Sequence, residues 1–217
     1  MRRCALLLFA GVPSLLGAQG FGVYEHNACT MARGGVAAAS PCADGSAIFF
    51  NPAGLAGLSG NHLSGGITII AATGNFTEDI IGTHSDIDPQ KIPVPNAFIT
   101  HAFSPKLTVG FGFYVPYGLE VKWPSTSLGR FIGYDTKVKA LYFQPTVGYQ
   151  VTPKIKLGLG VAYIHSTVEL HQHADLSAQP VAPGITFGML GIPTNTDFVD
   201  AALTGSGNGI ALNGGII

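Results

Sequence analysis

The sequence predicts an all-β fold, a transmembrane antiparallel β-barrel with a small helical unit ahead of it. Three observations carry this. Charged residues make up only 11% of the 217 positions, against about 25% in ordinary soluble domains, so a soluble surface could not be covered. The chain opens on an export signal, and no later apolar run is long enough for a spanning helix. From about residue 61 onward, apolar and small or polar residues alternate with period two, the mark of strands. Backbone polar groups within a bilayer must all be paired, so only helices and closed barrels can span it. With spanning helices ruled out, the barrel remains. The formal net charge is -1 and there is no basic block, so nucleic acid is not an expected partner.

Residues 1–18, MRRCALLLFAGVPSLLGA, read as a secretory signal peptide. Arg2 and Arg3 precede an apolar core, and Gly17 and Ala18 precede the expected cut. A membrane anchor would need about 20 apolar residues, and Pro13 interrupts this run. Residues 19–60 form the predicted helical unit. Its central stretch, Asp44 to Leu58 (DGSAIFFNPAGLAGL), is apolar but broken by Pro52, Gly45, Gly54 and Gly57. Asn51 suits a helix N-cap, and Pro52 suits the first helical position, where its missing N–H is of no consequence. Cys29 and Cys42 lie in this unit, where export permits a disulfide; two buried free thiols are the other reading. No metal site is expected from two cysteines without a histidine pair nearby.

Residues 61–217 are the predicted barrel portion. The first strand places Leu63, Ile67, Ile69 and Ala71 on one face, and a second runs roughly from Pro95 to Phe103. In the third, Leu107, Val109, Phe111, Phe113 and Val115 oppose Thr108, Gly110, Gly112 and Tyr114. The fourth gives an inner face of Val138, Ala140, Tyr142, Gln144, Thr146, Gly148 and Gln150. In the fifth, the inner face is Lys156, Gly158, Gly160, Ala162, Ile164, Ser166 and Val168. A sixth begins in GSGNGIALNGGII. Ser104-Pro105-Lys106 and Thr152-Pro153-Lys154 make short turns. The other connections, at about 75–92, 117–136 and 173–205, are long. Alternating short turns and long loops are the pattern of outer-membrane barrels. Tyr142, Tyr149 and Tyr163 fit interfacial girdles or plain β-propensity. Six strands leave two edges unpaired, so the sequence is expected to be the front part of a longer, monomeric barrel.

Several segments carry a resemblance in order along the chain: GFGVYEHNACTMARGGVAAA, ADGSAIFFNPAGLAGL with its Asn51-Pro52-Ala53, VPYGL from Val115 to Leu119, and GLGVAYIHSTVEL. Together they resemble the FadL/TodX family of outer-membrane transporters for long-chain fatty acids and other hydrophobic compounds. The resemblance implies a fourteen-stranded barrel whose lumen is plugged by an N-terminal hatch. It implies capture of substrate by external loops and release through a kink in the third strand. Pro116, Tyr117 and Gly118 are the candidates for that lateral opening, because proline cannot donate to a ladder and glycine there marks a bulge or bend. Asn51, Pro52 and Ala53 in the plug, with Phe187, Met189 and Leu190 in an unusually apolar loop, are the candidate ligand contacts.

The expected function is passive uptake of a long-chain fatty acid or hydrocarbon across the bacterial outer membrane, with the bilayer as partner and no cofactor. The family's basic side chain near the outer end of the fifth strand is missing here, where His165, Thr167 and Glu169 stand. Arg130 and Lys122 are the fallback head-group candidates. His171 and His173 could face one way as metal ligands, but no third ligand is evident. Neither a G-x-S-x-G elbow nor a phosphate-binding loop occurs, so an enzyme is not expected. An outer-membrane lipid-modifying enzyme and a structural or adhesin barrel are the alternatives.

Overall fold

The computed structural model describes residues 22–80 and 82–217; the signal peptide and its cleavage point lie outside the described residues. Six long strands form one antiparallel meander: β1 (Asn61–Ala72), β2 (Gln90–Ser104), β3 (Leu107–Lys122), β4 (Asp135–Thr152), β5 (Ile155–Ala174) and β6 (Val199–Ile216). Each pairs with its chain neighbour, and β1 and β6 are the edges. The two Pro-Lys turns join β2 to β3 and β4 to β5 at one end. At the other end, loops carry two small hairpins, Asn75–Thr77 with His84–Asp86 and Pro180–Ala182 with Ile185–Thr186.

The alternation sorts the side chains as the pattern demands. On the outer face Leu63, Ile67, Phe103, Leu159, Ile210 and Leu212 are exposed. A water-facing sheet would not carry such a continuous apolar band, whereas a lipid-facing one must. On the inner face Phe98, Thr100, Thr108, Tyr114, Gln144 and Ala162 are buried. Tyr142 belongs to this inner face, stacked on Tyr114 with ring centroids 5.5 Å apart. It is therefore no part of a lipid-facing girdle.

What buries them is the chain's own N-terminal unit. It contains two short helices, α1 (Ala28–Ala32) and α2 (Ala47–Phe50), then a 3-10 turn over Pro52–Gly57. Asn27 caps α1 by accepting from Thr30 N, and its Nδ2 donates to Asp44. Asn51 caps the 3-10 turn by accepting from Ala53 N at 3.0 Å, with Pro52 in the first turn. The Cys29 and Cys42 sulfurs are bonded, closing the intervening loop.

The strands run longer than the sequence suggested. β3 does not stop near Pro116, and the second long loop shrinks to residues 123–134. The cause is a bulge: Tyr114 pairs with Tyr142 and Tyr117 with Ala140, so two residues of β3 oppose one of β4. An extra residue absorbed this way lets a strand continue past a proline. It also moves Tyr117, Leu119 and Val121 onto the inner face. Lys122 is thereby the last residue of β3 rather than a loop residue. β2 likewise starts at Gln90, and β6 starts at Val199.

Candidate functional site

The inner glycines are sockets. A Cβ at Gly110 would lie 2.8 Å from Ile48, and one at Gly148 would lie 2.7 Å from Leu55. At Gly158 it would overlap the backbone of Pro52 and Ala53, and at Gly215 the side chain of Asn51. Each of these four glycines thus receives one knob of the N-terminal unit. Polar wall residues complete the fit. Short helices leave their last carbonyls unsatisfied; here Gln144 Nε2 donates to Ile48 O at 2.9 Å, and Asn213 Nδ2 donates to Ile48 O and Phe49 O at 3.0 and 3.1 Å. Thr68 Oγ1 donates to Glu25 O at 2.7 Å.

Asn51, Pro52 and Ala53 are buried in this contact. Asn51 Nδ2 donates to Ala38 O at 2.6 Å and reaches Ile216 O at 3.3 Å. They hold the unit to the wall and to itself, and they do not line the open chamber.

That chamber lies above the unit, toward the long loops, with a volume of about 1060 Å³. Its inward side chains are aliphatic: Ile70, Ile92, Val94, Val115, Leu119, Val138 and Val168 among them. Glu120, Lys137, Lys139 and Glu169 border it, but their register places them on the outer face.

The wall of this chamber has an open seam. β2 and β3 pair only from Ala97–Phe113 down to the short turn. Beyond that point Gln90–Asn96 pairs with β1 alone, and Tyr114–Lys122 with β4 alone. Pro93 and Pro95, which have no N–H to offer a neighbour, both sit on the unpaired edge. At the outer end the seam is tied by Asp88 N donating to Lys122 O at 2.7 Å. Inside, the N-terminal segment crosses it: Val23 N donates to Pro116 O at 2.8 Å, and Gly22 bridges to Tyr117. Val23, Val94 and Val115 form a small buried cluster there. So Pro116 and Tyr117 hold the N-terminal segment, and Gly118 borders the chamber. Sequence reasoning missed the β2 half of this frame; its signal was Pro93-x-Pro95, two prolines set two apart in a strand.

Phe187 packs on Phe198 with centroids 5.4 Å apart, while Met189 and Leu190 are 72% and 62% exposed. Their loop is organised by Asp175, whose carboxyl accepts from Ser177 N and Asn195 N; these bonds, Asn195 first, hold it below the usual carboxylate range. Arg130 ties this loop to residues 123–134. Its guanidinium donates to Asp197 at 2.7 Å, to Asn195 O and to Ser127 O, and it lies over the Phe131 ring. Arg130 is committed to these partners rather than turned to a ligand. Arg130→Met is expected to speed protease cleavage within residues 175–198 several-fold without loosening the strands. His171 pairs with Glu169 at 3.1 Å and His173 stacks on Tyr134; among the described residues no group of three or more His, Cys, Asp or Glu is gathered.

The family model described as outer membrane protein transport protein (OMPP1/FadL/TodX) matches residues 9–217. The chain belongs to the FadL/TodX family. It is an outer-membrane β-barrel family of transport proteins rather than enzymes. A 47 kDa outer membrane protein of Pasteurella multocida is 27% identical over 214 residues, covering 98% of this chain and 48% of that protein. An outer membrane protein of Neisseria meningitidis serogroup B is 30% identical over 119 residues, 51% of this chain and 25% of its own length. This FadL/TodX chain therefore spans at most about half the length of these relatives. In fold it is similar to a Pseudomonas aeruginosa FadL homologue, with TM-score 0.68 and 20% identity over 91% of this chain and 49% of that one. The P. putida toluene transporter TodX gives TM-score 0.52 and 19% identity over 77% of this chain and 47% of its own.

Proposed function

We propose that the protein is a channel for passive, diffusion-driven uptake of hydrophobic small molecules, a long-chain fatty acid or a hydrocarbon, through the outer membrane. Residues 19–60 act as its plug and residues 61–217 as part of its barrel. The exposed apolar loop around Met189 and Leu190 captures the compound, with Phe187 at its base. The compound then enters the aliphatic chamber, where burial of apolar surface is worth about 25 cal/mol per Å², so no energy source is required. It leaves sideways into the membrane through the seam between β2 and β3, once the segment at Gly22–Val23 moves aside. Asn51, Pro52 and Ala53 serve this path by seating the plug that forms the chamber floor.

The observation that carries the reading is that the unpaired seam opens on the apolar chamber and is covered from inside by one short strap. Deleting Pro116 tests it, because the bulge then disappears and Tyr117 can follow Tyr114 in register with β4. With the kink in β3 removed, uptake of a lipophilic fluorophore into cells making the protein is expected to drop at least tenfold, while probe capture by the loops persists. Unchanged uptake would exclude the sideways exit. Uptake by the unaltered protein no faster than by empty membranes would exclude transport itself.

A further inference from the structure

The strap over the seam contains one side chain that the transport path does not use. His26 is 1% exposed, and neither ring nitrogen makes a well-formed hydrogen bond, the Val23 backbone being the one polar group close enough to favour a protonated ring. It is boxed by rings: Phe49 of α2 lies edge-on at 4.7 Å and Tyr114 of β3 at 5.7 Å. The Tyr114 hydroxyl is turned away, donating to Gln144. Buried polar atoms without partners are rare and call for an explanation. A neutral imidazole tolerates this box at some cost; an imidazolium, with two N–H groups and a charge, does not.

His26 also sits where a small movement matters. The same segment makes the Val23–Pro116 bond on the seam and takes the Thr68 bond at Glu25. Expelling the ring from between Phe49 and Tyr114 would pull on both. We infer that His26 is the latch of the strap: neutral, it holds the N-terminal segment closed over the seam, and protonated, it releases it. This rests on the sideways-exit reading above.

The groups facing His26 can be named. α2 presents Phe49 and β3 presents Tyr114, neither of them charged; the ionised neighbour is Glu25 on the strap itself. Burial pushes the imidazole down from 6.5 to about 4, outweighing Glu25 and the Val23 backbone, which favour the proton. For a base depressed in the docked state, docking is fully supported above the free value of 6.5. That support is lost as pH falls from there toward 4. Between pH 7.5 and pH 5 the docked-to-released ratio therefore drops by about 30-fold.

Two readouts separate the latch from the path. The first is amide hydrogen exchange at Val23 in the detergent-solubilised protein, corrected for intrinsic pH dependence. The second is uptake of the lipophilic fluorophore over the same range. Exchange at Val23 is expected to speed by ten- to thirty-fold from pH 7.5 to 5, with amides in β4 and β5 unmoved. In His26→Phe, which keeps the aromatic box without a titrating group, exchange should be slow and flat with pH. His26→Met serves if the phenylalanine variant does not fold. A flat profile in the unaltered protein overturns the latch, as does the same acid rise in either variant. Acid-accelerated exchange without any change in uptake leaves the latch standing and overturns the sideways exit.

Discussion

Gly158→Val is expected to expel the plug while leaving the barrel wall folded. A Cβ at this position overlaps the backbone of Pro52 and Ala53, and backbone held by an N-cap cannot swing away as a flexible side chain could. The 3-10 turn must lift off the wall. That strips Asn51 from its contact with Ile216 and exposes Leu55 and Ala56, which are buried in the seated state. Overpacking of this kind costs about 1–3 kcal/mol where neighbours can yield, and more where they are backbone. The strand itself gains from the change, because valine favours extended structure where glycine does not. The measurement is permeability to a small sugar in liposomes, together with the heat-dependent gel mobility of the folded barrel. Sugar flux should rise at least tenfold with mobility unchanged. Gly207→Val is the control: it lies on the same inner face, yet nothing stands within 4 Å of its would-be Cβ. Equal behaviour of the two variants would refute the socket reading.

These sockets show what the sequence could and could not reveal. Alternation located the strands, because one face meets lipid and the other does not, and that requirement acts residue by residue along the chain. Even the inner glycines could be assigned to a face. Their purpose could not, since it depends on which knob, Ile48 or Leu55 or Pro52, arrives from a distant part of the chain. The seam was half legible. Pro116 and Gly118 mark a disturbance within β3, but whether a proline ends a strand or is absorbed by a bulge depends on the neighbour's register. The β2 edge of the seam and the strap at Gly22–Val23 are relations between distant segments, and no local pattern encodes them. Asn51 was legible as a cap and not as a tether, for the same reason.

Gln144→Leu should loosen the plug from the opposite side, by orphaning polar groups rather than by crowding. The Gln144 amide is 1% exposed; its oxygen accepts a hydrogen bond from the Tyr114 hydroxyl, and its nitrogen donates to Ile48 O and Thr146 Oγ1. Leucine has a similar size and none of these groups. Tyr114, itself 2% exposed, is left with a buried hydroxyl that has lost its acceptor, which costs about 1–3 kcal/mol. Ile48 O is not orphaned, because Asn213 donates to it as well. That shared acceptor makes a sharper forecast. Asn213→Leu alone should be mild at Ile48, yet it leaves Phe49 O unsatisfied. The double variant removes both donors from Ile48 O and should destabilise the seated plug by more than the two single losses added together, since residues sharing a partner do not act independently. Hydrogen exchange across residues 47–58 reads this, because these short turns bond within themselves and are shielded from water by the wall only while the unit is seated. Strict additivity would show that Gln144 and Asn213 do not share the task of capping α2. Unchanged exchange in the double variant would show that the glycine sockets alone retain the plug.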